Sequence, residues 1–140
     1  MPVEKSAGAV IFREEQTNIY YLVLHYQAGH WDFVKGNIGK GEETKQTIIR
    51  ETEEEVGIKN LEFIKGFKET IEYFYKLKGR TIFKTVVFFL AETKAKEIKL
   101  SQEHIGFAWL TYEDTLKRLT FENAKEVLKK ANEFLKNKEQ

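Results

Sequence analysis

Six glutamates lie between positions 42 and 55 of the 140-residue chain, and their spacing could support chemistry. They are Glu42, Glu43, Glu51, Glu53, Glu54 and Glu55. With roughly 100° of turn per helical residue, Glu51, Glu54 and Glu55 fall on one arc of about 100°. Glu53 points away from that arc. Mg²⁺ is usually held by one or two carboxylates plus substrate phosphates, so this patch is a candidate metal site.

A solvated acidic helix face is the alternative reading of such a cluster. Like charges at i and i+4, such as Glu51 and Glu55, repel by roughly 0.2–0.5 kcal/mol on a free helix. Arg50 can offset part of this repulsion through Glu54, and a bound cation would offset more. The segment before the helix favours a site, because glycines allow tight backbone conformations beside a ligand. Three glycines lie within six residues there: Gly36, Gly39 and Gly41.

The elements that must position these residues follow from the hydrophobic pattern. Apolar and β-branched runs predict strands at 6–12, 19–25, 61–75, 81–91 and 106–110, with a short extended piece at 31–34. A helix is predicted from an N-cap at Thr44 to a stop at Gly57. Its expected buried side comprises Ile48, Ile49, Thr52 and Val56. A second amphipathic helix is predicted at 121–136. One α/β or α+β domain over residues 1–140 is the economical interpretation.

Composition narrows the class of protein. Apolar residues make up 41% and charged residues 32%, as in a folded globular chain. The absence of cysteine excludes disulfides and thiolate zinc sites. The most apolar run, 86–91, is too short to span a bilayer, and residues 1–10 lack the apolar segment of a signal peptide. We therefore expect a cytoplasmic protein without membrane contact. The net charge of +1 does not favour a nucleic-acid partner.

Residues 36–58 read GNIGKGEETKQTIIRETEEEVGI. This segment resembles the Nudix box, G-x5-E-x7-R-E-U-x-E-E-x-G-U, where U is a bulky aliphatic residue. The matching residues are Gly36, Glu42, Arg50, Glu51, Glu54, Glu55, Gly57 and Ile58. Thr52 departs from the pattern, because it stands where the family has an aliphatic residue. Thr52 lies on the predicted buried face, so we expect this departure to affect packing more than chemistry.

The resemblance implies a Nudix-type α/β/α sandwich around a mixed β-sheet. It also implies hydrolysis of a nucleoside diphosphate linked to another group, with Mg²⁺ or Mn²⁺ as cofactor. By the same resemblance Glu51, Glu54 and Glu55 are metal ligands, and one of them can act as the base toward water.

The resemblance also implies that other residues in or next to the box support the metal ligands. Arg50 is expected to orient the carboxylates through salt bridges. Glu42 is expected to brace the loop, with Arg50 as a candidate partner. The backbone carbonyl of Lys35, just before the box, is a further candidate metal ligand. Gly36 and Gly57 have structural roles.

Segments outside the box narrow the resemblance. SAGAVIF, HWDFVKG, GFKETIEY, KTVVFFLAE and LSQEHIGFAWL are similar, in this order, to the asymmetrical diadenosine tetraphosphate hydrolases of the animal and archaeal type. The implied reaction is attack by water on a terminal phosphorus of the tetraphosphate bridge, giving ATP and AMP. Three other Nudix substrates remain open: capped RNA 5′ ends, ADP-ribose and damaged nucleoside triphosphates. A non-catalytic module that binds nucleotide is a further alternative from a different class.

Two lysines and two tyrosines outside the helix suit such a substrate. Lys35 and Lys84 could hold phosphate oxygens as point charges. Tyr73 and Tyr75 share one face of a strand and could stack on adenine, which is worth roughly 1–3 kcal/mol per base. For Lys84 and for both tyrosines, an ordinary surface or packing role is equally compatible with the sequence.

Two histidines and one further glutamate complete the candidates. His30 precedes the glycine-rich loop and is expected to line the same cleft. Glu103 is the best candidate for a glutamate outside the box that joins the metal or positions water, as the resemblance implies. His104 could donate a proton or contact phosphate, although a structural hydrogen bond fits its position equally well.

Overall fold

The computed structural model describes residues 1–138, so the last two residues of the predicted domain, 139 and 140, lie outside the described residues. In chain order the strands are β1 (Val3–Glu15), β2 (Asn18–Tyr26), β3 (Trp31–Asp32), β4 (Val34–Asn37), β5 (Glu62–Phe63), β6 (Glu69–Leu77), β7 (Arg80–Glu92) and β8 (His104–Leu110). The helices are α1 (Thr44–Val56), α2 (Tyr112–Arg118) and α3 (Glu122–Lys138).

The strands form one mixed sheet, as expected. β1 pairs antiparallel with β2 and with β4, and parallel with β7. β7 pairs antiparallel with β5 and β6, while β2 carries β3 and β8. The parallel pairing places residues about 80 positions apart side by side, for example Glu4 beside Lys84.

Alternation along β1 separates two hydrophobic cores. Val10 and Phe12 face a core that includes Leu128 and Ala131 of α3. Ala9 and Ile11 face a core that includes Ile48 of α1. Successive side chains of a strand point to opposite faces, so each face of the sheet has a helix to cover it. The predicted sandwich of helices around a mixed sheet is therefore confirmed.

Helix α1, which carries the glutamates of the box, has its N-cap one residue earlier than predicted. Glu43, not Thr44, is the N-cap, and Gln46 Oε1 accepts a hydrogen bond from the Glu43 backbone N–H at 2.8 Å. Thr44 is already helical. The predicted stop is confirmed, because Gly57 adopts the left-handed conformation with φ of 75° and donates to the Glu53 carbonyl. A side chain would strain this position, whereas glycine adopts it freely.

Three further expectations about local structure were wrong. Ile49 is 45% exposed and does not belong to the buried side of α1. The single strand predicted at 61–75 is broken into β5 and β6, and Gly66 with φ of 101° lies in the break. The close spacing of Gly36, Gly39 and Gly41 predicts an ordered turn, but Gly36 belongs to strand β4.

The short helix α2 was not predicted. It is capped by Thr111, whose hydroxyl accepts from Asp114 N–H at 3.4 Å. With seven residues, it is too short for an apolar stripe to stand out. No helix among residues 1–138 has the length and hydropathy needed to cross a bilayer.

Candidate functional site

Two neighbouring regions carry the candidate residues. The first, here called the acidic cleft, encloses about 370 Å³ between α1 and the turn before β8. Its lining residues are Glu51, Glu54, Glu55, Ser101, Gln102 and Glu103. The predicted glutamates of α1 and the predicted Glu103 thus line one cleft, although about 50 residues separate them in the sequence.

Arg50 holds several carboxylates at the edge of this cleft. Its guanidinium lies 2.7 Å from both Glu42 and Glu51, and 3.2 Å from Glu54. The expected contact between Glu42 and Arg50 is therefore present. Glu42 also accepts hydrogen bonds from the Thr47 hydroxyl and the Gly39 N–H. Bonds from Arg50 and Thr47 lower the pKa of Glu42 to about 2, so this carboxylate stays ionised.

Gly36 has a steric role beside Glu51. The backbone of β4 passes so close to α1 that a Cβ at Gly36 would overlap the Glu51 carboxyl group. Any side chain there would displace this carboxylate. The glycine at the start of the box is thus required for the position of Glu51 and not for an unusual backbone angle.

Glu55 is the most unusual of the box carboxylates. It is only 3% exposed, and its Oε1 has no hydrogen-bond partner within the described part of the chain. Burial raises the pKa of Glu55 far above its usual range, and the adjacent Glu51 adds to this increase. His104 Nε2 lies 3.3 Å from Glu55 Oε1, but the two atoms do not have hydrogen-bond geometry. The carboxylate is desolvated and incompletely paired.

A hard divalent cation fits this chemistry. It prefers oxygen ligands, and it would stabilise the ionised form of the buried Glu55. Within residues 1–138 the acidic and histidine side chains do not converge into a ready-made cage of three ligands. Glu51 and Glu54 instead contact Arg50, so ligation would require them to exchange this partner for the cation. The residues that could hold a cation are Glu51, Glu54 and Glu55.

The turn that carries Glu103 is fixed by polar contacts. Ser101 Oγ lies 3.0 Å from His104 Nδ1 and accepts from the Glu103 N–H at 3.3 Å. Ser101 N–H donates to the Glu55 carbonyl, which ties the turn to the end of α1. The His104 side chain is fully buried and lies at the surface of neither region. The structural hydrogen bond that was one possibility for His104 is therefore present.

The second region, here called the nucleoside pocket, encloses about 520 Å³. Its lining residues are His30, Lys35, Tyr73, Phe74, Tyr75, Lys84, Phe121 and Asn123. All five predicted substrate-binding residues other than His104 line it together. Its size is that of a small-molecule site, and its aromatic lining suits a nucleoside base.

Each lysine of the pocket lies beside one tyrosine and forms an ion pair with one carboxylate. Lys35 Nζ lies 3.0 Å from Asp32 and 3.4 Å from the Tyr73 hydroxyl. Lys84 Nζ lies 3.6 Å from Glu4 Oε1. The same Glu4 oxygen accepts a hydrogen bond from the Tyr75 hydroxyl at 2.6 Å.

Tyr26 connects the two regions. Its ring stacks on His30 of the nucleoside pocket, with centroids 4.6 Å apart. It also meets His104, which lies against Glu55, edge-on at 4.5 Å. Burial raises the pKa of Tyr26 well above its ordinary value, so its hydroxyl stays protonated and donates to the Phe33 carbonyl at 2.6 Å.

Sequence reasoning missed several residues of both regions. They are Glu4, Tyr26, Asp32, Ser101, Phe121 and Asn123. Asp32 and Lys35 are three positions apart and opposite in charge, which is a signal that could have been used. Glu4 gave no such signal, because only the parallel pairing of β1 with β7 brings it to Lys84.

Comparisons with known proteins agree with this geometry. A family model described as NUDIX domain matches residues 2–131. The chain is 35% identical to a rat bis(5′-nucleosyl)-tetraphosphatase (asymmetrical), over 94% of this chain and 95% of the relative. The crystal structure of a Caenorhabditis elegans Ap4A hydrolase binary complex superposes with a TM-score of 0.84 at 33% identity, covering 96% of this chain and 98% of the other. An RNA pyrophosphohydrolase of Nitratiruptor sp. is 30% identical, over 76% of this chain and 74% of the relative.

Proposed function

The chain belongs to the Nudix family, and we propose that it hydrolyses diadenosine tetraphosphate to ATP and AMP with Mg²⁺ or Mn²⁺ as cofactor. The observation that carries this proposal is the similarity to asymmetrical bis(5′-nucleosyl)-tetraphosphatases over nearly the whole of both chains. The pairing of an acidic cleft with an aromatic pocket supports it, because a dinucleoside polyphosphate offers both an anionic bridge and a base.

The proposed cation ligands are the carboxylates of the acidic cleft. Glu51, Glu54 and Glu55 supply the hard oxygen donors, and the backbone carbonyl of Lys35 remains a further candidate. When bound there, such an ion would polarise a phosphoryl oxygen and neutralise part of the charge of the transition state. Arg50 holds Glu51 and Glu54 at the edge of the cleft, and loss of such supporting contacts typically costs 10–100-fold in metal affinity or activity.

The proposed reaction is an in-line displacement at a terminal phosphorus of the bridge. The water oxygen forms a bond to the phosphorus attached to one adenosine, and the bond from that phosphorus to the bridging oxygen breaks. ATP leaves, and AMP keeps the new oxygen. A carboxylate of the acidic cleft takes the water proton; the candidates are the box glutamates and Glu103.

The nucleoside pocket is proposed to hold the other end of the substrate. Tyr73 and Tyr75 offer stacking faces for adenine, and His30 lines the same pocket. Lys35 and Lys84 offer ammonium groups for phosphate oxygens. His104, being buried, would act through Glu55 and the Glu103 turn and not by touching substrate.

A substrate comparison tests the proposal. Purified protein with Mg²⁺ is assayed against diadenosine tetraphosphate, capped RNA, ADP-ribose and an oxidised nucleoside triphosphate. We expect the highest kcat/KM for diadenosine tetraphosphate, and complete loss of turnover when a chelator is added. A higher kcat/KM for capped RNA would favour the activity named for the RNA pyrophosphohydrolase relative and would refute the dinucleoside assignment. Binding without turnover of any substrate would indicate a non-catalytic module.

The partner that we propose is a small nucleotide in the cytoplasm. The cysteine-free composition and the net charge of +1 support this choice over secretion or over RNA as the principal ligand.

A further inference from the structure

The two lysines of the nucleoside pocket differ in how firmly their counter-ions are held. The partner of Lys35 is Asp32, whose side chain is 3% exposed. Asp32 Oδ1 also accepts a hydrogen bond from the Phe33 N–H at 2.7 Å. Burial and the backbone hydrogen bond at Oδ1 restrict the movement of the Asp32 carboxylate away from Lys35. The Asp32–Lys35 pair is thus a fixed part of the pocket wall.

The partner of Lys84 is held more loosely. Glu4 lies on β1, directly beside Lys84 of β7 in the parallel register, and its side chain is 28% exposed. Its distance to Lys84 is 3.6 Å, against 3.0 Å for the Asp32–Lys35 pair. The closer contact of Glu4 is with the Tyr75 hydroxyl at 2.6 Å. Because one Glu4 oxygen contacts both groups, this ion pair opens when the Lys84 side chain turns away, and Glu4 keeps its hydrogen bond from Tyr75.

The charge state of Lys84 supports the same distinction. Burial and the nearby Lys35 charge lower the pKa of Lys84, and Glu4 does not offset them. Lys84 is thus the less compensated cation of the pocket, and an additional anion would gain more from contact with it.

We propose that Glu4 is a specificity-determining residue, a built-in counter-ion that occupies Lys84 in the free protein and is displaced by a phosphate oxygen of the substrate. This inference rests on the proposed function, because it assigns the nucleoside pocket to an anionic nucleotide. Uncharged nucleosides cannot displace Glu4, whereas a polyphosphate replaces one anion at Lys84 with another. Glu4 therefore weakens binding of every anionic ligand and excludes those that bring too little charge.

A single-charge substitution tests this role. Glu4→Gln keeps an oxygen that can accept the Tyr75 hydroxyl, but it removes the charge that competes for Lys84. We expect Glu4→Gln to bind ATP about three- to tenfold more tightly than the wild type in calorimetry at pH 7 with chelator present. Adenosine binding should not change, because adenosine carries no charge. The gain for ATP should shrink at high salt.

Two further variants separate charge from shape. Glu72→Gln removes the same charge from the exposed face of β6 and should leave ATP binding within about twofold of the wild type. Tyr75→Phe removes the hydroxyl and leaves the Glu4–Lys84 pair, so it should not tighten ATP binding.

The outcomes separate this inference from the proposed function. Equal or weaker ATP binding by Glu4→Gln would overturn the counter-ion role and would assign Glu4 to the support of Tyr75. Tighter binding of both ATP and adenosine would also overturn it, because the effect would then not depend on ligand charge. A further outcome is a wild type that does not hydrolyse diadenosine tetraphosphate, together with a Glu4→Gln variant that binds ATP, but not adenosine, more tightly. That result would refute the proposed substrate and would support the role of Glu4.

Discussion

The acidic cleft and the nucleoside pocket differ in the balance of their charged side chains. In the acidic cleft Glu51, Glu54, Glu55 and Glu103 have one arginine at their edge, and buried Glu55 has no hydrogen bond to Oε1 among the described residues. In the pocket each lysine has its own carboxylate. The cleft therefore carries more negative charge than its side chains neutralise, while the pocket is neutralised internally. A bound cation would neutralise the excess negative charge of the acidic cleft. An anionic ligand in the pocket must replace a carboxylate as the partner of a lysine.

The largest expected effect comes from removing one carboxylate of the acidic cleft. Glu54→Gln should lower kcat by about 10²–10³-fold, because a proposed cation ligand is lost. Glu53→Gln removes the same charge one position away, on a side of α1 that does not line the cleft, and should keep full activity. Steady-state kinetics and thermal unfolding check both variants. Full turnover by a folded Glu54→Gln protein would refute its assignment as a ligand.

The next effect comes from the residue that organises the cleft. Arg50→Lys keeps the charge but loses the planar fork that reaches Glu42, Glu51 and Glu54 together. We expect kcat/KM to fall about 10–100-fold and the apparent Mg²⁺ affinity to weaken. Arg80→Lys, an exposed substitution at the start of β7, is the matched control and should not change either quantity. Unchanged Mg²⁺ dependence in Arg50→Lys would contradict the orienting role.

A smaller effect is expected in the nucleoside pocket, where binding and not chemistry should suffer. Tyr73→Leu removes the aromatic face and should raise KM about tenfold with kcat nearly unchanged. Tyr73→Phe keeps the face and loses only the hydroxyl near Lys35, so its KM should stay within about threefold. A fall in kcat at unchanged KM would show that Tyr73 belongs to the reacting region.

The last effect concerns stability without metal and not catalysis. The pKa of Glu55 in the folded chain lies above its ordinary value of 4.5, so unfolding releases its proton and the free energy of unfolding falls as pH rises above about 4.5. With chelator at pH 7.5, Glu55→Gln should therefore be more stable than the wild type by roughly 1–3 kcal/mol. Denaturant unfolding at pH 4.5 and 7.5 checks this, and the difference should be largest at pH 7.5. A variant less stable than the wild type at pH 7.5 would contradict it.

The two regions also differ in how far the sequence predicts them. The contacts among Arg50, Glu51 and Glu54 lie within one helix, so periodicity places these side chains together. Glu103 reaches the same cleft through tertiary structure, and only the family resemblance indicated it. The prediction that Ile49 is buried failed because helical periodicity shows which face of α1 is apolar. It does not show how much of that face the sheet covers.

The nucleoside pocket depends on long-range pairing. Tyr73 and Tyr75 could be assigned to one face from the period of a strand. Their neighbour Glu4 could not, because the parallel register of β1 and β7 joins positions that no local pattern relates. The break between β5 and β6 did have a local signal, because Gly66 lies in it with φ of 101° and glycine inside a strand pattern often marks an interruption.

Hydrolysis of diadenosine tetraphosphate with Mg²⁺ in ¹⁸O-labelled water, with products identified by mass spectrometry, tests the proposed function most directly. The predicted result is ATP plus AMP, with one ¹⁸O atom in AMP, because water attacks the phosphorus attached to adenosine. Two molecules of ADP would contradict the asymmetrical cut. ATP and AMP with the label in ATP would retain the cut but place the attack on the neighbouring phosphorus, and no turnover would refute the assigned substrate.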